Sequence, residues 1–412
     1  MDQFFAGAAP ELHLGRCLNQ RHAGASCTRC VDGCPVQAIT IDGVVPNLDE
    51  TTCVHCGVCT AICPTDSFTA GTDYGRLLWA TVANLPTAPI ALTCPVHPSP
   101  DITAANVSAV VLHRRCLAAI TIADLLELSM GGARPLLIDD SPCSSCPIGA
   151  AHTTLARAID AVRLLLQASE RSSAILLCSE QEPTERQGAP PRRVPLIDGA
   201  QPLISRRALF QRLRPKAPQD SEPAPMEEMV RRSAPLSERL PQQTPSSRRR
   251  LLAALNLLQP VADVDFSTQR SPFNAVEVNA THCSGCGLCA RFCPTGALNF
   301  TANAAHFRLT FQPTACIVCN ICVVACPEDA VSLDDAVTLS AIRADVVKIL
   351  VEGDLAPCHS CGMQTAKLAK DSASRCHVCR HGSGIVTAQR DDAGLMADLL
   401  KRALEKCEPD IV

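Results

Sequence analysis

Aromatic side chains are scarce in this sequence: one Trp, one Tyr and ten Phe make up 3% of 412 residues. A core of Ala, Val, Leu and Ile buries less area per residue than one built on rings, so something besides packing is expected to hold the chain together. Long apolar runs are lacking too. The stretch "AAITIADLLELSM" is interrupted by Asp124 and Glu127 and falls short of membrane-spanning length, so no membrane insertion is expected. The opening "MDQFFAGAAPELHLGRC" carries neither a basic nor an apolar leader segment, which argues against secretion and with it against a disulfide scaffold. A phosphate-cradling Gly-rich loop, a dinucleotide fingerprint after a strand, an H-E-x-x-H pair and a nucleophile elbow are all missing, and "GSG" at 382–384 is too little to count. Nothing therefore signals substrate chemistry, and a reduced, cytoplasmic setting is expected.

What the sequence has in abundance is cysteine, 26 residues clumped as C-x-x-C groups, which is the spacing of ligands. The net charge is −4, but residues 181–250 hold 14 Arg/Lys against 8 Asp/Glu, leaving 23 against 33 elsewhere. The Cys-rich parts are thus acidic, which argues against nucleic acid as their partner.

Composition divides the chain into residues 1–80, with eight Cys in two runs; 86–180, alternating strand and helix; 181–260, a linker; 270–340, Cys-rich again; a small unit at 350–385; and a C-terminal helix at 386–412. Residues 181–250 hold 12 of the 31 prolines. Within the linker, "SRRALFQRLR" (205–214) and "SRRRLLAALNLL" (247–258) each carry a Ser cap candidate and an apolar stripe, and both are expected to dock on a neighbour as short helices. The first resembles a twin-arginine export motif, but it is internal and no apolar segment follows. Cys27, Cys30 and Cys34 recur 259 residues later as Cys286, Cys289 and Cys293, so one module occurs twice.

Three runs read C-x2-C-x2-C-x3-C-P: "CVHCGVCTAICP" (Cys53, Cys56, Cys59, Cys63), "CSGCGLCARFCP" (Cys283, Cys286, Cys289, Cys293) and "CIVCNICVVACP" (Cys316, Cys319, Cys322, Cys326). Three thiolates two residues apart can curl around three corners of an Fe4S4 cube while the fourth turns away to a second cluster. Gly57, Gly285 and Gly287 let the backbone come close, and Asn320 tolerates the same left-handed geometry. His55, between two ligands, is expected to be exposed beside a cluster and not a ligand. Structural zinc on these thiolates is the alternative, although zinc needs no three-plus-one exchange.

These runs and their connecting segments, "AITIDGVVPNLDETTC" and "ALNFTANAAHFRLTFQPTAC", resemble bacterial-type ferredoxins with two [4Fe-4S] clusters, over 17–70 and 275–335. The exchange that the resemblance implies groups Cys53, Cys56, Cys59 with Cys34; Cys283, Cys286, Cys289 with Cys326; and Cys316, Cys319, Cys322 with Cys293. Cys27, Cys30 and Cys63 remain one ligand short, because Gly24 stands where the first Cys of the run belongs. Cys17, ten residues upstream of Cys27, is the expected fourth, with Leu18–Ser26 as an enlarged loop. The alternatives are a three-ligand [3Fe-4S] site or a non-Cys ligand such as His22.

In the middle, "APIALTC", "VSAVVLH", "PLLID" and "SAILLC" are of strand length, with helices at about 116–130 and 147–169, a pattern that implies a doubly wound parallel sheet. Cys94, Cys116, Cys143 and Cys146 all fall at or just past the carboxyl ends of these strands, where such folds gather ligands. Cys178 is expected in the core. The zone resembles the delta subunit of methyl-viologen-reducing hydrogenases, which implies a [2Fe-2S] cluster, though "CPVH" offers one Cys and His97 where that family has two Cys. Another metal and unligated structural thiols stay open. His97, His113 and His152 are expected to be satisfied or exposed, not ligands.

Cys358, Cys361, Cys376 and Cys379 form two knuckles fourteen residues apart, as in zinc ribbons, with a rubredoxin-like iron as the alternative. Cys407 reads as a free thiol. The fold class expected is therefore α+β multidomain: two ferredoxin-like dicluster domains flanking an α/β domain, plus a small C-terminal zinc ribbon. The expected cofactors are four [4Fe-4S] clusters, a [2Fe-2S] cluster and zinc. The function expected is single-electron transfer, as a polyferredoxin-type subunit between an oxidoreductase partner and another carrier. A reductase acting through the middle four-Cys site and an iron-sulfur assembly scaffold are the alternatives.

Overall fold

The computed structural model describes residues 5, 7–103, 105–130, 134–171, 174–180, 191–201, 240–258, 263, 265–266, 271–334, 337–367 and 374–381. The expected helices at 205–214 and 386–412, and Cys407, lie outside the described residues.

The middle unit is a five-stranded parallel sheet in the order Leu196–Asp198, Ala109–Leu112, Ile90–Thr93, Leu136–Ile138, Ile175–Leu177. Alternate residues face opposite sides. Ile90, Leu92, Leu136, Ile138, Ile175 and Leu177 meet helices Tyr74–Val82, Ile122–Met130, His152–Gln167 and Ser246–Leu255 in the largest core. Ala91, Val110 and Leu137 face the other side in a small core with Val107 and Val194. Among the described residues, helices thus cover only one face of the sheet. The first crossover, from Thr93 to Ala109, contains Pro95, Pro98 and Pro100 and makes a two-residue strand, Ile102–Thr103, in place of a helix. The edge strand Leu196–Asp198 extends this unit into the stretch read from composition as linker.

Both Cys-rich modules fold alike. In the first, Ile39–Asp42 and Val45–Leu48 form a hairpin, and Glu11–Leu12 pairs with Phe68–Thr69. In the second, Leu298–Ala302 pairs with His306–Phe311, and Ala275–Val278 with Val331–Asp334. The tail is fused to the second module and does not stand apart: the ten-residue strand Lys348–Pro357 pairs with His306–Phe311 on one side and Gln364–Ala366 on the other.

Helix Ser246–Leu255, expected from its apolar stripe, fastens three units. Its N-terminus is capped from outside by Asp66 of the first module, which accepts from Ser246 Oγ (2.7 Å), Ser247 N (3.1 Å) and Ser247 Oγ (2.6 Å). Buried Arg248 donates to the carbonyls of Pro272 (2.7 Å) and Thr314 (2.8 Å) and lies over the Phe273 ring. Arg250 reaches Asp124 (2.8 Å) and Glu127 (2.6 Å) of the middle unit.

Candidate metal centres

Each complete run curls through two left-handed residues: His55 and Gly57, Gly285 and Gly287, Val318 and Asn320. Glycine adopts this conformation freely, whereas β-branched Val318 at φ 52 is held there against its preference, a strain of about 1–3 kcal/mol that marks a functional loop. In the short run Ser26, at φ 44, takes the place of Gly285. The loop ahead of it is a helical turn, Leu18–Arg21, followed by a 3-10 turn, Ala23–Ala25. Asn19 closes the loop by donating to Cys27 O (2.9 Å) and accepting from Cys27 N (2.8 Å). Cys17 is thereby brought back to Cys27, Cys30 and Cys63, close enough that Cys63 and Cys27 add to the burial that raises the Cys17 thiol, and all three add to the burial that raises Cys30. His22 turns away from this quartet: its Nδ1 accepts from Gly24 N (3.1 Å) and its ring packs edge-on against Phe292 at 4.7 Å.

The same kind of coupling groups Cys34 with Cys53, Cys56 and Cys59; Cys326 with Cys283, Cys286 and Cys289; and Cys293 with Cys316, Cys319 and Cys322. Burial first, and then the neighbouring sulfurs, push Cys30, Cys289 and Cys319 up to about 12 and Cys59 and Cys322 upward as well. Four converging sulfurs in a half-buried loop are a ligand set for a metal centre, whose positive charge would offset the burial that opposes their ionisation. An iron-sulfur core fits that ligand set and the loop geometry together. Amides aimed at the exchanged sulfurs add to the fit: Ala38 N to Cys34 Sγ (3.3 Å), Ser67 N to Cys63 Sγ (3.2 Å) and Ala330 N to Cys326 Sγ (3.3 Å).

The sequence matches two copies of the 4Fe-4S dicluster domain model, at residues 25–67 and 282–330. A 45-residue stretch is 44% identical to an uncharacterized ferredoxin of Methanocaldococcus jannaschii, covering 10% of this chain and 69% of that protein. A ferredoxin of Methanothermococcus thermolithotrophicus is 41% identical over 49 residues, 11% of this chain and 78% of its own. The chain belongs to the 4Fe-4S dicluster ferredoxins. No solved structure matches it. It is accordingly an iron-sulfur protein of the electron-transfer type, in which a ferredoxin module occurs twice.

Between the ferredoxin modules, Cys94, Cys116, Cys143 and Cys146 converge on one cavity, which Phe5 and His152 also line. They sit where chain connections leave Ile90–Thr93 in opposite directions, the crevice at which open α/β sheets bind ligands. Burial raises Cys116 and Cys143 to about 12, and Cys143 also feels Cys94 and Asp140. His97 is occupied on both ring nitrogens, by Ser99 N (3.1 Å) and Asp139 (3.2 Å). Buried His113 contacts Arg115 O (3.1 Å), and burial lowers it to about 4. His152 meets Asp140 at 2.8 Å. Cys178 lies apart from the quartet, half-buried against the small core.

Buried Asp140 accepts from Ser179 N (2.9 Å), Ser179 Oγ (2.5 Å) and His152, tying the ends of two strands together beneath the cavity. Asp140→Ala leaves these donors unpaired, and a loss of about 3 kcal/mol is expected for the α/β unit. The urea midpoint followed by the fluorescence of the single tryptophan, Trp79 in the helix packed on this sheet, measures it. An unchanged midpoint contradicts the role given to Asp140.

The middle quartet adjoins the first ferredoxin module directly. Cys116 N donates to Cys56 O (3.2 Å), and the guanidinium of Arg115 donates to His55 O while lying 4.9 Å over the Tyr74 ring. His55 is buried at 5% exposure, not exposed as its position suggested, because Arg115 covers the loop. The run "HRR" before Cys116 was the available sequence signal for this contact.

Cys358, Cys361, Cys376 and Cys379 place their sulfurs within 4.8 Å of one another, with Cys361 and Cys376 at 3.6 Å. Sulfurs at ~2.3 Å from one tetrahedral ion lie about 3.8 Å apart, so a single ion fits. Among the described residues this is the group of thiols drawn together closely enough for one ion. Burial opposes ionisation of Cys358, but the amides of Cys376, Cys361 and Ser360 outweigh it and lower this thiol to about 6. The knot is tied to the second ferredoxin module. Thr365 Oγ1 and Ala366 N both donate to Ser284 O, and Glu328 holds Arg380 (3.1 Å) and His381 (3.2 Å).

Proposed function

We propose that this chain is a multi-centre electron carrier that joins an oxidoreductase partner to a second carrier. Five of its six thiol quartets are adjacent in one file. Cys94/Cys116/Cys143/Cys146 abuts Cys34/Cys53/Cys56/Cys59, which shares a module with Cys17/Cys27/Cys30/Cys63. That quartet faces Cys293/Cys316/Cys319/Cys322, which shares a module with Cys283/Cys286/Cys289/Cys326. This file supports the reading more than any other observation. Four of these sets would hold [4Fe-4S] clusters, the middle set a [2Fe-2S] cluster and Cys358/Cys361/Cys376/Cys379 zinc. When bound, the clusters supply reversible one-electron storage at potentials tuned by amide hydrogen bonds and burial. The protein's own part is to hold the thiols, aim the amides and keep the modules in fixed relation.

Among the described residues no helix is long and apolar enough to cross a membrane, so the partners are sought among proteins met through the surface. The exposed 3-10 turn Ser141–Ser145, carrying Cys143, is the natural contact at the middle end. A cytoplasmic location fits thiols kept for metal.

Iron, sulfide and zinc per chain on anaerobically purified protein test the assignment. The expected result is about 18 iron with about one zinc and a distinct binuclear signal in low-temperature EPR of the reduced state. A value near 12 iron overturns the five-centre assignment. Catalysis through the middle quartet is favoured by one feature, His152 on its cavity wall, paired with Asp140 behind it. That reading predicts steady substrate turnover by the chain alone, lost on replacing Cys143 or Cys146.

A further inference from the structure

The loop that displaces the first ligand of the short run also carries the contact between the two ferredoxin modules. Arg21, half-buried at the end of its helical turn, donates to Phe292 O (2.8 Å) and Cys293 O (3.2 Å) and, through the same guanidinium, to Pro241 O (2.9 Å) and Leu240 O (3.1 Å). Arg29, exposed at the rim, donates to Val318 O (2.9 Å). All but two of these acceptors lie in the loops that carry Cys293 and Cys319. Among the described residues no carboxylate forms an ion pair with Arg21 or Arg29, so two positive charges of the first module rest uncompensated against a thiolate site of the second. A ferredoxin module standing alone has no such neighbour. Gly24 lets the surfaces close, since a Cβ there would stand 3.0 Å from Val324 Cγ1.

We propose that Arg21, assisted by Arg29, is a positioning and potential-setting residue supplied in trans: the first module's enlarged loop raises the reduction potential of the centre held by Cys293, Cys316, Cys319 and Cys322. The inference rests on the reading of that quartet as a one-electron centre. Adding one electron there adds one negative charge, and a fixed cation nearby favours the reduced form. Burial strengthens the effect, so half-buried Arg21 outweighs the exposed, salt-screened Arg29. The displacement of the ligand to Cys17 then has a purpose. It frees Leu18–Ser26 from cluster binding to reach across.

The test is a redox titration of the full chain followed by low-temperature EPR, with iron counted in each sample. In Arg21→Gln one of the four-iron midpoints falls by about 60 mV, a tenfold shift in the one-electron equilibrium. The other midpoints stay in place and iron content is unchanged. Arg21→Lys, which keeps the charge and gives up the fork of hydrogen bonds, retains most of the potential; a purely structural role would be lost in both variants. Should Arg21→Gln lose iron, Arg29→Gln carries the test and moves the same midpoint by less. Unmoved midpoints in iron-replete variants overturn the proposal. Absence of four-iron signals from the parent protein overturns instead the reading on which it rests.

Discussion

Cys17→Ala is expected to lower iron by about four per chain and to remove one four-iron signal, while Cys27→Ala and Cys63→Ala give the same loss. These three thiols and Cys30 converge as one set. The stronger part of this result is that moving a cysteine back to the position found in the other runs does not repair it. In Cys17→Ala/Gly24→Cys the new side chain would leave the backbone toward Val324 Cγ1 at 3.0 Å and the His22 ring at 3.1 Å, away from the quartet. The double variant should therefore keep the iron deficit and add a packing penalty of about 1–3 kcal/mol at the module junction. Iron analysis with EPR decides it. Full iron in the double variant would mean that the enlarged loop can re-form the usual run and that Cys17 is dispensable.

Stripping the tail site has the second largest effect. Cys358, Cys361, Cys376 and Cys379 are set for one tetrahedral ion, and the zinc proposed for this site would contribute on the order of 10 kcal/mol. The hairpin between Lys348–Pro357 and Gln364–Ala366 has only three register pairs to hold it once the ion is gone. Cys376→Ser, or a zinc chelator, is expected to make residues 348–381 sensitive to protease. Because Thr365 and Ala366 cover Ser284 in the Cys283–Cys289 loop, the same treatment should speed oxygen bleaching of one cluster about tenfold, a loss of protection of ~1.4 kcal/mol. Equal bleaching rates with and without zinc would show that the knot is not a cap.

The ligand runs, the repeat at 259 residues, four of the five parallel strands and the docking helix Ser246–Leu255 were legible because each rests on local spacing. What escaped depends on contacts between distant residues. Leu196–Asp198 is three residues long in a proline-rich stretch, and only pairing with Ala109–Leu112 makes it a strand. The one-sided helix cover among the described residues follows from prolines that stop a helix in the first crossover, a departure from the alternating pattern that periodicity cannot register. From sequence His55 looks exposed because nothing near it in the chain covers it; Arg115, sixty residues on, does. The tail looks separate in sequence because its knuckles are self-contained, whereas the strand leading into them completes the second module's sheet. For the site itself the thiols were all visible. Arg21, Asp140 and Glu328, which aim or buttress them, carry no motif and became visible only through their partners.

The cap that Asp66 gives to helix Ser246–Leu255 joins residues 180 positions apart. At ribosomal rates of 5–20 residues per second, roughly 10 to 40 s separate synthesis of the two partners. Through that interval the first module stands with its docking face bare, and the second module closes over the junction only afterwards. The junction between the two halves therefore forms late, after the first module's own contacts have left the ribosome.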